Sequence, residues 1–401
     1  IFFIRIQCRQ QQTVRDICLT QASNPGRLSI QLPTHRPPKK SVSLLMFARY
    51  RCDGHSNVKK IRLTLRQQRD IYRDGFVVLP KIIPEEMVNE ARREININLS
   101  DTRTHATGAK TLAEIKTAGE ILAATGSEKV ILNLFNCTDV KKTVETFFGR
   151  EIKPPEGAQV AVRFPQEPGE DVNESGYKDK DTPFYGWCGH LDGLWNGGDR
   201  IPEIGKELTP HQNHKWYSDP SRNGCYRTYD QKCNVQNFTA LVGIALSDQT
   251  IEGCGNLGLL KGAHHRMGEF FQQQRDAGGP LGPDGPAWDR EHSEAPNGHG
   301  LRHYPEQVRA AFREDAVQTT DGRYWPKPTL VKVKAGDAVI VHYATPHSVT
   351  RVQSPDPRFM VYFRVSAPRK KENLQFYPDA LCNIWLEWRG MQNFVKAHDT
   401  K

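Results

Sequence analysis

The segment 358–365 alternates between two kinds of side chain, and this alternation constrains the fold more than any other feature of the sequence. Its apolar members are Phe359, Val361, Phe363 and Val365, and the residues between them are Arg358, Met360, Tyr362 and Arg364. Successive side chains of a β-strand point to opposite faces. The segment therefore predicts one strand with an apolar face and a second face that lines a polar interior.

Further β-rich runs and helical patterns surround this strand. Strands are predicted at 159–164, 186–191, 239–246, 257–260, 329–333 and 338–343. Helices are predicted at 64–73, 84–100 and 128–148, and an apolar stripe between Leu381 and Met391 predicts another helix. The pattern predicts one mainly β domain over residues 62–395. By itself it is compatible with an α+β fold or with a jelly roll.

Three residues have the spacing and chemistry of a metal site. His190 and Asp192 are two residues apart, so in an extended segment both side chains project to one side and can bind one ion. His347 follows the β-rich run 338–343 and is expected near a strand end. Two histidines and one carboxylate can hold a ferrous ion by one face and leave the opposite positions open. We therefore predict that these three residues are metal ligands.

An arginine extends this prediction to a co-substrate. Arg358 lies eleven residues after His347, in phase with the polar face of its strand. The planar guanidinium binds carboxylates through two parallel hydrogen bonds, so Arg358 is predicted to anchor a dicarboxylate co-substrate at the metal. Gln159, Arg163 and Ser348 are candidates for further contacts to this co-substrate.

The order of these motifs resembles the phytanoyl-CoA dioxygenase family of iron(II)- and 2-oxoglutarate-dependent oxygenases. Leu63–Pro80 resembles the opening helix and first strand of that family, and Asn237–Asp248 and Gly253–His264 resemble its central strand and the stretch that follows. The resemblance covers about residues 62 to 390. Two departures lie in the last stretch, where Asn256 is inserted and Lys261 stands in place of the usual proline. Because they fall in a loop, they concern substrate choice more than metal binding.

The resemblance implies a double-stranded β-helix, or jelly roll, with helices packed outside it at both ends of the domain. It implies that the ligands bind Fe(II), that 2-oxoglutarate chelates this iron while Arg358 holds its far carboxylate, and that O2 is a further co-substrate. The reaction would hydroxylate a small organic molecule, such as an acyl-CoA or another lipid-derived acid, and release succinate and CO2. Two alternatives stay open: a cupin-like metalloenzyme of another reaction type, and a catalytically silent binding module on the same scaffold.

Two long insertions, 193–236 and 265–328, interrupt the β-rich pattern. Segments of this length are uncommon without a function, and a lid over an active site is a frequent one, although surface elaboration is the alternative. Trp187 lies beside the first ligands, and Trp195 and Trp216 lie in the first insertion. Large aromatic side chains there are predicted to contact the substrate, although packing in the core is the alternative.

Charge and composition limit the partners. Residues 1–60 hold eleven Lys and Arg but only Asp16 and Asp53 as acids, so they account for the whole net charge of +9. The remainder is neutral overall, which disfavours a nucleic-acid partner. Because the first methionine is Met46, we expect residues 1–61 to be a basic extension that is disordered or foreign to the native chain.

The cysteines and the apolar runs bear on location. The nine cysteines form no C-x-x-C pair, which favours reduced thiols in an intracellular compartment, and no apolar run is long enough for a membrane span. We expect a cytoplasmic protein, with a mitochondrial or peroxisomal location still open. The sequence does not indicate an oligomeric state.

Overall fold

The computed structural model describes parts of one compact unit, Cys52–Lys401. The described residues are 61–104, 118–166, 183–187, 189–192, 233, 235–278, 281–282, 285–288, 304–318, 324–373 and 376–399. Two of the predicted substrate contacts, Trp195 and Trp216, lie outside these ranges, as does most of the first insertion. Within the described ranges, no helix combines the length and the apolar character that crossing a membrane would need.

Antiparallel sheets form the centre of the described structure. The strands are β1 (Phe76–Leu79), β2 (Gln159–Arg163), β3 (Ala240–Ala245), β4 (Leu257–Leu259), β5 (Val317–Gln318), β6 (Tyr324–Trp325), β7 (Thr329–Leu330), β8 (Ala338–His342), β9 (His347–Val349) and β10 (Arg358–Val365). A main sheet has the order β1-β8-β3-β10-β2, and a small sheet has the order β7-β4-β9. Strands β5 and β6 form a separate pair. The mainly β prediction is therefore confirmed for the described residues.

The described helices precede, interrupt and follow these strands. They are α1 (Leu65–Asp74), α2 (Glu85–Thr104), α3 (Ala118–Thr125), α4 (Lys129–Asn136), α5 (Asp139–Phe148), α6 (Ala263–Asp276), α7 (Glu306–Ala310), α8 (Pro378–Cys382) and α9 (Gln392–Asp399). Part of the second insertion is thus ordered as α6, α7 and the β5-β6 pair. The insertion is more structured than a plain loop.

The two faces of β10 enter two different hydrophobic clusters, as its alternation predicts. Phe359, Val361, Phe363 and Val365 pack with side chains of the N-terminal and C-terminal helices, and we call this side of the main sheet the outer face. Met360 and Tyr362 pack instead with residues of the small sheet, such as Leu257 and Leu259. This inner face therefore lies between the two sheets.

Helix α1 begins and ends where its sequence indicates. The side chain of Thr64 accepts a hydrogen bond from the Gln67 backbone N–H, and the Gln67 side chain accepts one from the Thr64 N–H. This reciprocal pair is a capping box, which satisfies two N–H groups at the helix start. At the other end Gly75 has φ 80°, the left-handed conformation that glycine adopts without a steric penalty.

The predicted helix 128–148 is divided into α4 and α5. Thr138 lies between them in an extended conformation, and its side chain accepts a hydrogen bond from the Val140 N–H. The threonine therefore acts as an N-cap that starts a second helix. The neighbouring Cys137 is disulfide-bonded, so the expectation of reduced thiols is wrong for this residue.

Two further element predictions are wrong. The expected strand 186–191 is preceded by a helical turn, Pro183–Gly186, in which Phe184 and Tyr185 have φ 54° and 56°. Gly189 also has a positive φ of 65°, so the backbone is not extended there, and among the described residues of this run His190 alone forms a β-bridge. The expected helix through 381–391 is likewise interrupted, because α8 ends at Cys382 and the chain resumes with a short 3-10 turn, Arg389–Met391.

Candidate metal centre

The predicted metal ligands meet at the edge of the small sheet. His347 is the first residue of β9, and its N–H and C=O exchange hydrogen bonds of 2.9 and 3.0 Å with the C=O and N–H of His190. This bridge fixes the two histidines side by side, with ring centroids 4.7 Å apart. Asp192 follows two residues later and turns its carboxylate to the same point. The three side chains are therefore brought together by the β-bridge between His190 and His347, and not by the strand predicted at 186–191.

The distances suit one shared ion. One ligand atom from each of His190, Asp192 and His347 lies within 4.8 Å of the others. The Nε2 atoms of the two histidines are 3.4 and 3.7 Å from the Asp192 oxygens. Adjacent ligands about 2.1 Å from one ion would be about 3 Å apart, so small movements suffice to bind it. The donor set of two imidazoles and one carboxylate fits a ferrous ion that keeps open positions.

His347 is oriented for this role by a neighbouring carbonyl. Its Nδ1 lies 3.0 Å from the backbone oxygen of Thr345. A carbonyl only accepts, so Nδ1 carries the hydrogen and Nε2 keeps its lone pair for a ligand. Ligating histidines are held in this way by groups outside the first coordination sphere. Thr345 is in turn fixed by a hydrogen bond of 3.2 Å from its hydroxyl to the Gly75 carbonyl, at the end of α1.

Asp192 is held by Arg364, which was not among the predicted site residues. Nε of Arg364 donates to Oδ2 of Asp192 at 2.8 Å, and Nη2 of Arg364 donates to the Gln159 side chain at 3.1 Å. Burial raises the pKa of Asp192, but the charge of Arg364 and the neighbouring imidazoles of His190 and His347 lower it by more, so the pKa lies well below its usual range. The carboxyl is thus ionised, as a metal ligand must be.

A signal for Arg364 was present in the sequence. It shares the phase of Arg358 on β10, so the alternation places a second cation on the inner face, where a carboxylate is a favourable partner. The alternation identifies the face but not the partner. Asp192 lies 172 residues away along the chain, in a segment whose placement no local pattern predicts.

Arg358 lies at the opposite end of the inner face of β10. Its side chain is 2% exposed, and it donates to the Tyr362 hydroxyl and, at 3.4 Å, to the Gln249 side chain. Its guanidinium carbon is also 5.5 Å from the centre of the Tyr362 ring. Both contacts are to neutral groups, and they fix the direction of the guanidinium.

The remaining candidates occupy different positions. Gln159 contacts Arg364, as described above, and Arg163 pairs with Arg358 across the β2-β10 ladder. Ser348 is buried next to His347, with its hydroxyl 3.3 Å from the Val349 carbonyl. Trp187 is fully buried, and its indole N–H donates to the Gly258 carbonyl at 2.9 Å. The structure therefore packs the Trp187 indole against β4, and its contact with a substrate stays a prediction.

Several solved structures are similar to this chain at a distance. SnoK, a non-heme α-ketoglutarate-dependent carbocyclase from nogalamycin biosynthesis, is 14% identical with a TM-score of 0.38, over 75% of this chain and 83% of its own. HygX from Streptomyces hygroscopicus, solved with nickel and 2-oxoglutarate, is 14% identical with a TM-score of 0.33, over 75% and 86%. A putative oxidoreductase from Salmonella typhimurium LT2 is 13% identical with a TM-score of 0.37, over 78% and 72%. Likeness at this level carries no conclusion about ligands or reaction.

No protein-family model matches the sequence, and no curated protein matches it either. The chemistry of the site has to be inferred from its own geometry.

Proposed function

We propose that the protein is an Fe(II)- and 2-oxoglutarate-dependent oxygenase that hydroxylates a small organic molecule, in the manner of the phytanoyl-CoA dioxygenase family. The observation that carries this proposal is the convergence of His190, Asp192 and His347. Iron with 2-oxoglutarate and O2 would supply the oxidant for hydroxylating a C–H bond, with release of succinate and CO2. The protein's own residues supply binding, orientation and charge.

The ligands would hold the ion by one face only. His190 and His347 are clamped together through their backbones, and Asp192 is clamped through Arg364. Three such ligands occupy half of an octahedron, which leaves room for a chelating keto acid and one further small molecule. The three ligand side chains are 7 to 14% exposed, so the centre is largely enclosed but reachable.

Arg358 supports the assignment of a dicarboxylate co-substrate. Arg358 lies six positions before Arg364 on β10, on the same face of the strand. A diacid held at the ligands would extend along the inner face towards Arg358, whose planar donors suit its far carboxylate. A cupin-like enzyme of another reaction type would have no need of this buried cation.

The same proposal accounts for the finer fold. We infer that the main and small sheets are the two halves of a double-stranded β-helix, with the helices packed on the outer face. Their packing through Leu257, Leu259, Met360 and Tyr362 supports this inference. An enclosed inner face between two sheets is where a jelly roll holds a ligand.

Anaerobic reconstitution tests the function. The protein is loaded with Fe(II) and titrated with 2-oxoglutarate, and the visible metal-to-ligand absorption band and later succinate formation in air are measured. We expect both signals in the wild type and neither in Asp192→Ala. Arg275→Ala, which breaks an exposed pair with Asp379, serves as the control and should behave like the wild type.

The outcomes separate the competing functions. Iron binding without a 2-oxoglutarate band would favour the cupin-like alternative. A folded protein that binds neither would favour the silent binding module. Either result would overturn the proposed oxygenase activity.

A further inference from the structure

The contact between Arg364 and Asp192 has a consequence for how the carboxylate meets a metal. A carboxylate can bind an ion through one oxygen or through both. In this structure Oδ2 of Asp192 accepts the Arg364 Nε–H at 2.8 Å and lies 3.7 Å from Nε2 of His347, while Oδ1 lies 3.4 Å from Nε2 of His190. Both oxygens therefore face the histidines, and the hydrogen bond from the guanidinium occupies a lone pair of Oδ2.

We propose that Arg364 is a positioning residue that restricts Asp192 to one-oxygen binding and that Gln159 holds Arg364 in place. The inference rests on the metal site of the proposed function. It matters for that function because an aspartate that bound through both oxygens would occupy a coordination position that the co-substrates require.

Gln159 supports the orientation of the guanidinium through a second nitrogen. It is the first residue of β2, next to β10, and its Oε1 accepts from Nη2 of Arg364 at 3.1 Å. Nε and Nη2 are therefore each held, and the plane of the guanidinium is fixed. Asp192 itself lies outside the described strands, so a side-chain contact contributes to its placement where a strand ladder does not.

The alternative is that the pair only stabilises the fold. The Arg364 side chain is 40% exposed, and ion pairs with an exposed partner contribute about 0 to 1 kcal/mol to stability. The pair therefore contributes little to the stability of the fold, whereas its hydrogen bond can orient Asp192 as a ligand. Groups that hydrogen-bond to metal ligands change metal affinity by about 10- to 100-fold when they are removed.

Cobalt(II) binding tests the proposal without relying on catalysis. Purified full-length protein is titrated anaerobically with CoCl2, and affinity and the visible d–d band are recorded for the wild type, Arg364→Ala, Gln159→Ala and the double variant. Arg275→Ala removes an arginine from an Arg–Asp pair of similar length, 2.9 Å, far from the ligands in sequence. Thermal unfolding of each metal-free variant reports its fold.

We expect Arg364→Ala to weaken cobalt binding by about 10- to 100-fold and to change the position and intensity of the d–d band, because coordination by the second oxygen becomes available. Gln159→Ala should cause a smaller change of the same kind. The double variant should match Arg364→Ala alone, since Gln159 acts through Arg364. Arg364→Lys keeps the charge and should recover part of the affinity.

Three results would overturn the inference. The first is an unchanged cobalt affinity and an unchanged d–d band in Arg364→Ala. If Arg364→Ala does not fold, the same result in both Arg364→Lys and Gln159→Ala takes its place. The second is an equal loss in Arg275→Ala. The third is additive losses in the double variant, which would give Gln159 a separate role. A folded wild type that binds no cobalt would instead refute the metal site of the proposed function, and this inference with it.

Discussion

Replacing Arg358 should separate co-substrate binding from metal binding. The side chain is 2% exposed, so its charge has little access to water. Two of its contacts in the structure are to the neutral side chains of Tyr362 and Gln249, and the metal ligands are held by other groups. We therefore expect Arg358→Ala to lose affinity for 2-oxoglutarate while it keeps its affinity for Fe(II).

The magnitude follows from the burial of the guanidinium. Truncating one member of a buried, hydrogen-bonded charge pair costs about 2 to 5 kcal/mol. At about 1.4 kcal/mol for each tenfold change, this corresponds to a rise in the 2-oxoglutarate dissociation constant of about 30-fold to a few thousand-fold. Arg358→Lys keeps the charge but lacks the planar pair of donors, so its loss should be intermediate.

Isothermal titration of the nickel-loaded protein with 2-oxoglutarate measures this effect, and a separate titration with Fe(II) measures metal affinity. Tyr362→Phe is the matched control, because it removes only one acceptor of the guanidinium and should weaken co-substrate binding far less. An unchanged 2-oxoglutarate affinity in folded Arg358→Ala would refute the reasoning. Loss of iron in that variant would show instead that Arg358 supports the metal ligands.

Three further perturbations have defined outcomes. A Cβ on Gly258 would lie 2.6 Å from Nε1 of Trp187, so Gly258→Ala should lower the free energy of unfolding by about 1 to 3 kcal/mol in urea titrations, and unchanged stability would contradict this packing. Gly255 has φ 69°, and a Cβ there would lie 3.0 Å from Cδ of Arg358. Gly255→Ala should therefore weaken 2-oxoglutarate binding in calorimetry more than Fe(II) binding, and equal losses would count against a role of Arg358 in co-substrate binding. Burial lowers the pKa of His342 to about 4 from 6.5, so the unfolded chain takes up this proton first as the pH falls. The free energy of unfolding should then decrease between about pH 6.5 and 4, by on the order of 3 kcal/mol from this residue, and His342→Gln should flatten that dependence in urea titrations at several pH values; an equally steep decrease in the variant would exclude His342 as its source.

Local sequence patterns predicted the elements whose causes are local. The alternation over 358–365 assigned each side chain of β10 to the correct face, because a strand repeats every two residues whatever surrounds it. Thr64 and Gly75 mark the two ends of α1 for a similar reason, because a capping residue acts only on the end of its own helix. The residue types of a metal site were likewise visible in the sequence.

Patterns failed where the backbone departs from its average preference. The run 186–191 has the composition of a strand, but Gly186 and Gly189 adopt positive φ values there, which no periodicity reveals. Helix 128–148 divides because the hydroxyl of Thr138 accepts a hydrogen bond from the N–H of Val140, and this local bond competes with a continuous helix.

The sequence by itself determined which residues could form the site and which face of β10 would carry charge. Both depend on side-chain chemistry and on the two-residue repeat of a strand. Only the tertiary structure decided how the site is assembled. The bridge between His190 and His347, and the hydrogen bond from Arg364 to Asp192, join residues that are far apart along the chain. Such contacts exist only once the sheets have packed, because the distances between distant segments are set by the whole fold and not by the residues beside them.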